Sequence, residues 1–386
     1  MTKSFDDIFS PEKYAKTRLP IEHASPLPTE VYKSKAWYDR EVDTIFLKTW
    51  LLLTREEEIP NPGDYTRVDI VGEPLIVLRD EQGVIRTLSA ACRHRGSEIV
   101  KGNGNCKRLV CPYHAWTYSL QGDLLRCSSM ENAVGFEKKD HSLTAVRTET
   151  WGGFVFANFD EHADSLIESL GDLPERLESY NLQEMKVTKK WEYRFNANWK
   201  IWVENSREGY HVRTIHKESL DTYYPGTRRS KFNAEGQPGI YTINSSDNEN
   251  GLYVPRNKTL PFIDGLSDFD QERTHFLIYY PHVLMNLPPD RITFHQYFPE
   301  GTEWTRIVTW CCFPQSTIDL PHFEKDAEER YYPPMELFIK EDKGACELVH
   351  RGISGRLAQP GRFSPDEEKT VHEFSNYVLD RVLGET

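Results

Sequence analysis

The chain has 386 residues, 38% hydrophobic and 28% charged, enough to bury the core of one large domain or two ordinary ones without disulfide staples. Its formal net charge of −13 argues against the basic surface that sequence-independent nucleic-acid binding needs, and no apolar run approaches the ~18 residues of a membrane span. Seven Cys, an odd number in no regular framework, suit a reducing compartment; with no apolar signal core in MTKSFDDIFSPEKY, the expectation is a cytoplasmic protein.

Tyr38, Val42, Ile45 and Phe46 recur near helical spacing within residues 37–50, which predicts an amphipathic helix. From residue 64 to 158 the character changes to strands. EPLIVLRDEQGVIRTLSA reads as two strands about an Asp-Glu-Gln-Gly turn, and WGGFVFANFD as another. A charged stretch over 161–185 reads as helical, and WEYRFNANWKIWVENSREGYHVRTIH passes from strand to helix. Residues 222–270, rich in Gly, Pro, Asn and Asp, predict long loops near a site, or a lid. Strands return in THFLIYYPHVLMNL, RITFHQYFP and WTRIVTWCCFP. Two helices end the chain, the last capped by Ser364 and carrying Val371, Phe374, Val378 and Val382 as one apolar stripe. The expected class is α+β, with a small all-β region placed before a larger part built on an antiparallel sheet with helices.

Two loops in the β-region carry one Cys and one His each: Cys92-x-His94 and Cys111-x-x-His114, with sixteen residues between His94 and Cys111. A zinc knuckle is the plainer alternative, but zinc sites commonly group Cys with Cys and His with His. Mixed loops suit a two-iron cluster with two thiolates on one iron and two imidazoles on the other. CRHRG and CPYHAW resemble the Rieske motif of ring-hydroxylating and related oxygenases. The resemblance implies that Cys92 and Cys111 hold the inner iron of a [2Fe-2S] cluster, and His94 and His114 the outer one. Imidazoles in place of two thiolates raise the potential to about −150 to +300 mV. Gly96 and Pro112 are expected to shape the loops, and Cys106 and Cys127 to pack.

A second constellation separates an oxygenase from a pure electron carrier, which would leave it dispensable. NWKIWVENSREGYHVRTIH contains His211-x4-His216, with Glu208 three residues before the first His. Five residues rotate an ideal helix by about 500°, leaving the rings some 140° apart. Rings that share one ion therefore require the helix to end, or to bulge, between them. The segment resembles the catalytic stretch of Rieske oxygenases, which lends His211 and His216 the role of ligands in a 2-His-1-carboxylate triad for mononuclear Fe(II). EDKGACELVHRG is similar to the family's late carboxylate segment and places Asp342 in the third ligand slot, with Glu341 as a competing choice and His350 where Gln is frequent. The family implies that Glu208 bridges a neighbouring subunit's His114 to the mononuclear site, hence a ring, expected to be a homotrimer. Asn205 joins Glu208 among the expected catalytic residues.

The resemblance thus implies the α (oxygenase) subunit of a Rieske non-haem iron oxygenase. Residues 1–46 would pack on the catalytic domain, 47–160 form the Rieske domain and 161–386 the catalytic domain. The chain lacks a dinucleotide fingerprint and a plant-type ferredoxin spacing, so electrons from NAD(P)H are expected through a separate flavin or iron-sulfur reductase. VENSREGYH and Glu208 are similar to the enzymes of quaternary ammonium compounds, although Gly209 and Val212 replace the Cys pair of ECYHC. An aromatic acid is the alternative substrate. A quaternary ammonium calls for aromatic faces, and Trp202, Tyr210, Tyr280 and Phe294 are the pocket residues expected to supply them.

Overall fold

Asp80 turns the chain between two of the expected strands, because its carboxylate accepts the backbone N–H groups of Gln82 and Val84 at 2.9 Å each. In the computed structural model, which describes residues 7–217, 219, 233–247 and 259–384, this hairpin belongs to the first of two compact units, residues 47–169. The unit contains β1 (Leu51–Arg55), β2 (Asp64–Ile70), β3 (Glu73–Arg79), β4 (Ile85–Ser89), β5 (Asn103–Asn105), β6 (Leu109–Val110), β7 (Thr117–Tyr118), β8 (Leu124–Arg126), β9 (Ala145–Trp151) and β10 (Phe154–Asn158). Seven strands form an antiparallel sheet in the order β1-β10-β9-β4-β3-β2-β5, and β6-β7-β8 form a small second sheet. The β9–β10 turn passes through Gly153, at φ +77°, where an added Cβ would lie 2.9 Å from the Arg55 guanidinium. Ile76, Leu78, Leu88, Leu109 and Trp116 form a core that also takes in Cys92 and Cys111, with Cys106 and Cys127 packed at its margin.

The second unit comprises residues 1–46 and 170–386. Its main elements are α1 (Lys35–Thr44), β11 (Met185–Phe195), α2 (Trp199–Asn205), β12 (Asn233–Gln237), β13 (Tyr241–Asp247), β14 (Arg273–Tyr279), β15 (Val283–Leu287), β16 (Ile292–Glu300), β17 (Trp304–Pro314), α3 (Tyr332–Ile353) and α4 (Lys369–Leu383). Seven strands make one antiparallel sheet, β11-β17-β16-β15-β14-β13-β12. β16 is buried along all but its last residue, so its polar side chains need internal partners. Gln296 accepts from the Trp310 indole at 2.7 Å, and His295 meets the Thr309 hydroxyl at 2.8 Å. The stripe on α4 is buried as expected, and Phe374 sets its ring edge-on to Trp199 of α2. The fold is α+β. No helix among the described residues is long and apolar enough to cross a membrane.

Three local expectations change. The stretch 161–185 is not one helix: Gly171 at φ +60° and Asn181 at φ +46° break it into turns and helical pieces of five residues or fewer. Within 222–270, residues 233–247 form a strand pair rather than loop, while 222–232 and 248–258 lie outside the described residues. The last helix starts at Lys369, not after Ser364. The Glu368 carboxylate accepts the Ser364 N–H at 2.6 Å while the Ser364 carbonyl takes the Glu368 N–H, which closes an isolated turn before the helix.

Candidate metal centres

Each Cys/His loop is tied by its own backbone. Cys92 N–H donates to Ser97 and its carbonyl accepts from Gly96, at φ +73°; Cys111 N–H donates to Trp116 and its carbonyl accepts from Ala115. These turns bring His94 Nδ1 and His114 Nδ1 to 3.1 Å, with the His94 ring stacked on Trp116 at a centroid distance of 4.8 Å. The thiols of Cys92 and Cys111 are buried within hydrogen-bonding reach of each other. Burial pushes the Cys92 thiol up, while Tyr118 OH, 3.2 Å from Sγ, and the His94 N–H favour its thiolate. Burial also opposes ionisation of Cys111, but the Tyr113 and His114 N–H groups outweigh it and hold its thiol below the usual range. Burial, His114 and Arg95 lower His94, which keeps its imidazole neutral. Thiols paired at one end and imidazole nitrogens paired at the other fit a [2Fe-2S] cluster. They fit one tetrahedral zinc poorly: among the described residues, three or more donor atoms lie within 4.8 Å of one another only at His211, His216 and Asp342.

That second group is built from α2, the turns after it, and α3. Asn198 caps α2 by accepting the Lys200 N–H. The helix stops at Asn205, where the Ser206 hydroxyl bonds back to the Trp202 carbonyl. The helix therefore ends before His211 rather than between the two His. His211 opens a short 3₁₀ turn, its carbonyl accepts from Thr214 and Ile215, and the two rings come to 5.3 Å between centroids. Asp342 arrives on α3, whose Met335, Ile339, Cys346 and His350 are buried.

Asp342 Oδ1 lies 2.9 Å from His216 Nε2, 3.5 Å from His211 Nε2, and accepts from Asn205 Nδ2 at 3.2 Å. The other ring nitrogens face other carboxylates: His211 Nδ1 is 2.6 Å from Glu208 and His216 Nδ1 is 2.7 Å from Glu341. Glu208 also accepts the His211 N–H at 3.0 Å, and Glu341 the Ser219 hydroxyl at 2.6 Å. Glu341 thus stands behind a His rather than in the converging set. Carboxylates behind both imidazoles fix the tautomer that leaves each Nε2 lone pair for a cation, so this donor set fits Fe(II). Burial opposes protonation of His216, but Asp342 and Glu341 outweigh it and raise the imidazole to about 9. His350 instead meets Glu303 at 3.1 Å.

The triad opens on a cavity of about 150 Å³. One wall is a row of neighbours across four strands, Asn244, Phe276, Asn286 and Thr293, in register on β13 to β16. Phe338, Ile339 and Met335 of α3 face it, and Trp202 and Arg207 border it. Of the four expected pocket residues only Trp202 lines this cavity. Tyr210 is 51% exposed; Tyr280 stands behind Arg207, accepting from its guanidinium; Phe294 is buried against Trp310, with rings stacked at 5.5 Å. Phe276 and Phe338 are the aromatic wall residues that periodicity did not single out. The available signal was polar Asn286 within the otherwise apolar strand VLMNL.

The family description "Ring hydroxylating alpha subunit (catalytic domain)" matches residues 182–384, and "Rieske [2Fe-2S] domain" matches 49–144. The chain is 35% identical over 391 residues to the glycine betaine monooxygenase oxygenase subunit of Chromohalobacter salexigens, covering 93% of this chain and 86% of that one. It is 27% identical over 354 residues to the carnitine monooxygenase oxygenase subunit of Acinetobacter pittii, covering 89% of each. Its fold is similar to a solved quaternary ammonium Rieske monooxygenase, studied for carnitine oxidation and inter-subunit electron transfer, with TM-score 0.79, 26% identity and coverage of 93% and 95%. With two buried thiols and two facing imidazoles in one unit and a His-His-Asp triad in the other, the chain belongs to the ring-hydroxylating α-subunit family, as an oxygenase subunit with a Rieske [2Fe-2S] cluster and a mononuclear iron.

Proposed function

We propose that this oxygenase acts on a small quaternary ammonium compound, by hydroxylation or N-demethylation. The observation that carries the reading is the cavity beside His211, His216 and Asp342, with Trp202, Phe276 and Phe338 on its walls. Aromatic faces attract a quaternary ammonium that has no N–H to donate. A cavity of about 150 Å³ matches ligands near the size of benzene. The named substrates of the relatives, glycine betaine and carnitine, support the same class.

Cys92, His94, Cys111 and His114 hold the cluster in this proposal, and His211, His216 and Asp342 hold Fe(II). Residues 47–160 carry the relay and 161–386 the catalysis, with 1–46 supporting the latter; the compact units 47–169 and 1–46 with 170–386 support that division. Iron, when bound, supplies O2 activation with electrons that reach it from NAD(P)H through a separate reductase and the cluster. Glu208 keeps the His211 Nδ1 proton in place and Glu341 that of His216, while Asn205 Nδ2 donates to Asp342 Oδ1 and holds it. Glu208 further links His211 to a neighbouring subunit's His114, in a head-to-tail homotrimer. Inter-subunit transfer in the solved quaternary ammonium enzyme supports this arrangement.

The test is O2 uptake and product analysis with a surrogate reductase. Glycine betaine, carnitine, benzoate and anthranilate should be compared. Formaldehyde or a hydroxylated product from the betaines alone is expected; a cis-diol from an aromatic acid, with no betaine turnover, would replace the reading with ring dioxygenation.

A further inference from the structure

Arg207 sits where a core residue would normally be apolar. It is 2% exposed and borders the cavity, four residues before His211. Its Nη1 donates to Tyr280 OH at 2.8 Å, and its guanidinium lies over the Tyr280 ring at 4.2 Å and the Phe374 ring at 4.8 Å. Its carbonyl accepts from the Thr370 hydroxyl, which fixes the backbone. The Nε and Nη2 groups are buried with no hydrogen-bond partner. Among the described residues no carboxylate pairs with it, and the nearby ones are engaged: Glu208 with His211, Asp342 and Glu341 with His216.

A guanidinium remains charged in proteins, so a buried one without an anion is an uncompensated charge. Stacked aromatic faces accommodate its planes but do not satisfy its N–H groups. The two unpaired donors share one edge of the guanidinium, and that edge is the fork that receives both oxygens of a carboxylate. Lysine could not reproduce the fork, and a neutral substrate would leave it empty.

We propose that Arg207 binds the carboxylate of the substrate and selects zwitterionic quaternary ammonium carboxylates over neutral or purely cationic compounds. The inference rests on the quaternary ammonium reading for the other end of the ligand. The aromatic walls take the methylated nitrogen and Arg207 takes the acid, so the substrate is held by both charges.

The experiment is calorimetric binding to the intact holoprotein without reductase, using glycine betaine, carnitine and choline, which keeps the quaternary ammonium and replaces the carboxylate by a hydroxyl. Wild type is expected to bind the two acids at least about tenfold more tightly than choline. Arg207→Met should weaken both acids about 10- to 100-fold and change choline by less than about twofold, with Arg207→Lys between the two. Choline binding as tight as glycine betaine in wild type, or an equal loss of all three in Arg207→Met with cluster and iron content intact, would overturn the proposal. Should Arg207→Met lose its cluster, the wild-type selectivity and Arg207→Lys decide. If no quaternary compound binds wild type, the substrate reading has failed; benzoate bound by wild type and lost in Arg207→Met would then uphold the carboxylate site, and no benzoate binding would reject it.

Discussion

The hydroxyl of Tyr118 accepts the Arg93 N–H at 3.1 Å, so its own proton is directed to Cys92 Sγ at 3.2 Å. A donor to a cluster thiolate stabilises the more negative, reduced state. Tyr118→Phe removes one such bond, of about 1 to 1.5 kcal/mol, and should lower the one-electron potential by about 40 to 65 mV at 59 mV per tenfold. Potentiometry followed by EPR reads this directly, and an unchanged potential with an intact cluster would reject the role. At the second site the relevant proton is on His216, raised to about 9 by Asp342 and Glu341 against the opposing effect of burial. A cation and that proton compete for one nitrogen. Fe(II) uptake should therefore release about one proton at pH 7.5, and apparent affinity should rise about tenfold per pH unit up to about pH 9. Anaerobic calorimetry in two buffers of different ionisation enthalpy measures the release; zero protons would contradict it. The proposed ligand residues were legible in the sequence because metal chemistry demands particular side chains at short spacing. Asp342 was legible only by resemblance, since 60 Asp and Glu offer too many candidates.

Between α1 and α2 the apolar pattern concealed charge. Glu41 and Lys200 are both fully buried and paired at 2.7 Å, and the Trp37 and Trp199 indoles donate to the same carboxylate at 2.9 Å each. Glu204, one residue from the end of α2, is half-buried and accepts from Tyr32 at 2.6 Å. Burial raises Glu204 from 4.5 to about 7, more than Tyr32 and Lys200 lower it. A carboxyl that binds its proton more tightly when folded contributes stability at acid pH and loses it as pH rises from about 4.5 through about 7. Glu204→Gln should thus stabilise the fold at pH 8 by up to about 3 kcal/mol, at 1.36 kcal/mol per pKa unit, and change little at pH 4.5. Thermal unfolding of both proteins at the two pH values tests the sign; equal Tm differences would exclude it. Hydrophobic periodicity foretold α4 and a helix at α1, which ends at Thr44 with Ile45 and Phe46 beyond it, but not this network, because buried ion pairs break the pattern that locates helices. It likewise missed β12 and β13, whose NAEGQ and YTINSSD lack apolar alternation, and the cavity row Asn244, Phe276, Asn286 and Thr293, which exists only once four strands are in register.

For the whole molecule the order of motifs along the chain carries the proposed division of labour, and the proposed route between the two metal sites runs through assembly. A head-to-tail ring in which His114 of one subunit meets Glu208 of the next makes every productive pair of sites the property of two chains. That can be separated from transfer within a chain by two inactive variants. His94→Ala removes a cluster ligand and leaves the triad; Asp342→Ala removes an iron ligand and leaves the cluster. Each alone should be inactive under either route. In mixed rings formed by co-expression, transfer within a chain still yields nothing, since no single chain holds both metals. Transfer between chains restores each interface that places an intact cluster against an intact triad. Every mixed trimer has that order at one of its three interfaces, so the mixed rings should return to about a third of wild-type activity per chain. Differently tagged subunits, purified through both tags, guarantee that mixed rings are assayed, and metal analysis confirms which centre each variant retains. Activity no higher than the sum of the separate variants would place the electron path inside one chain and remove Glu208 from it.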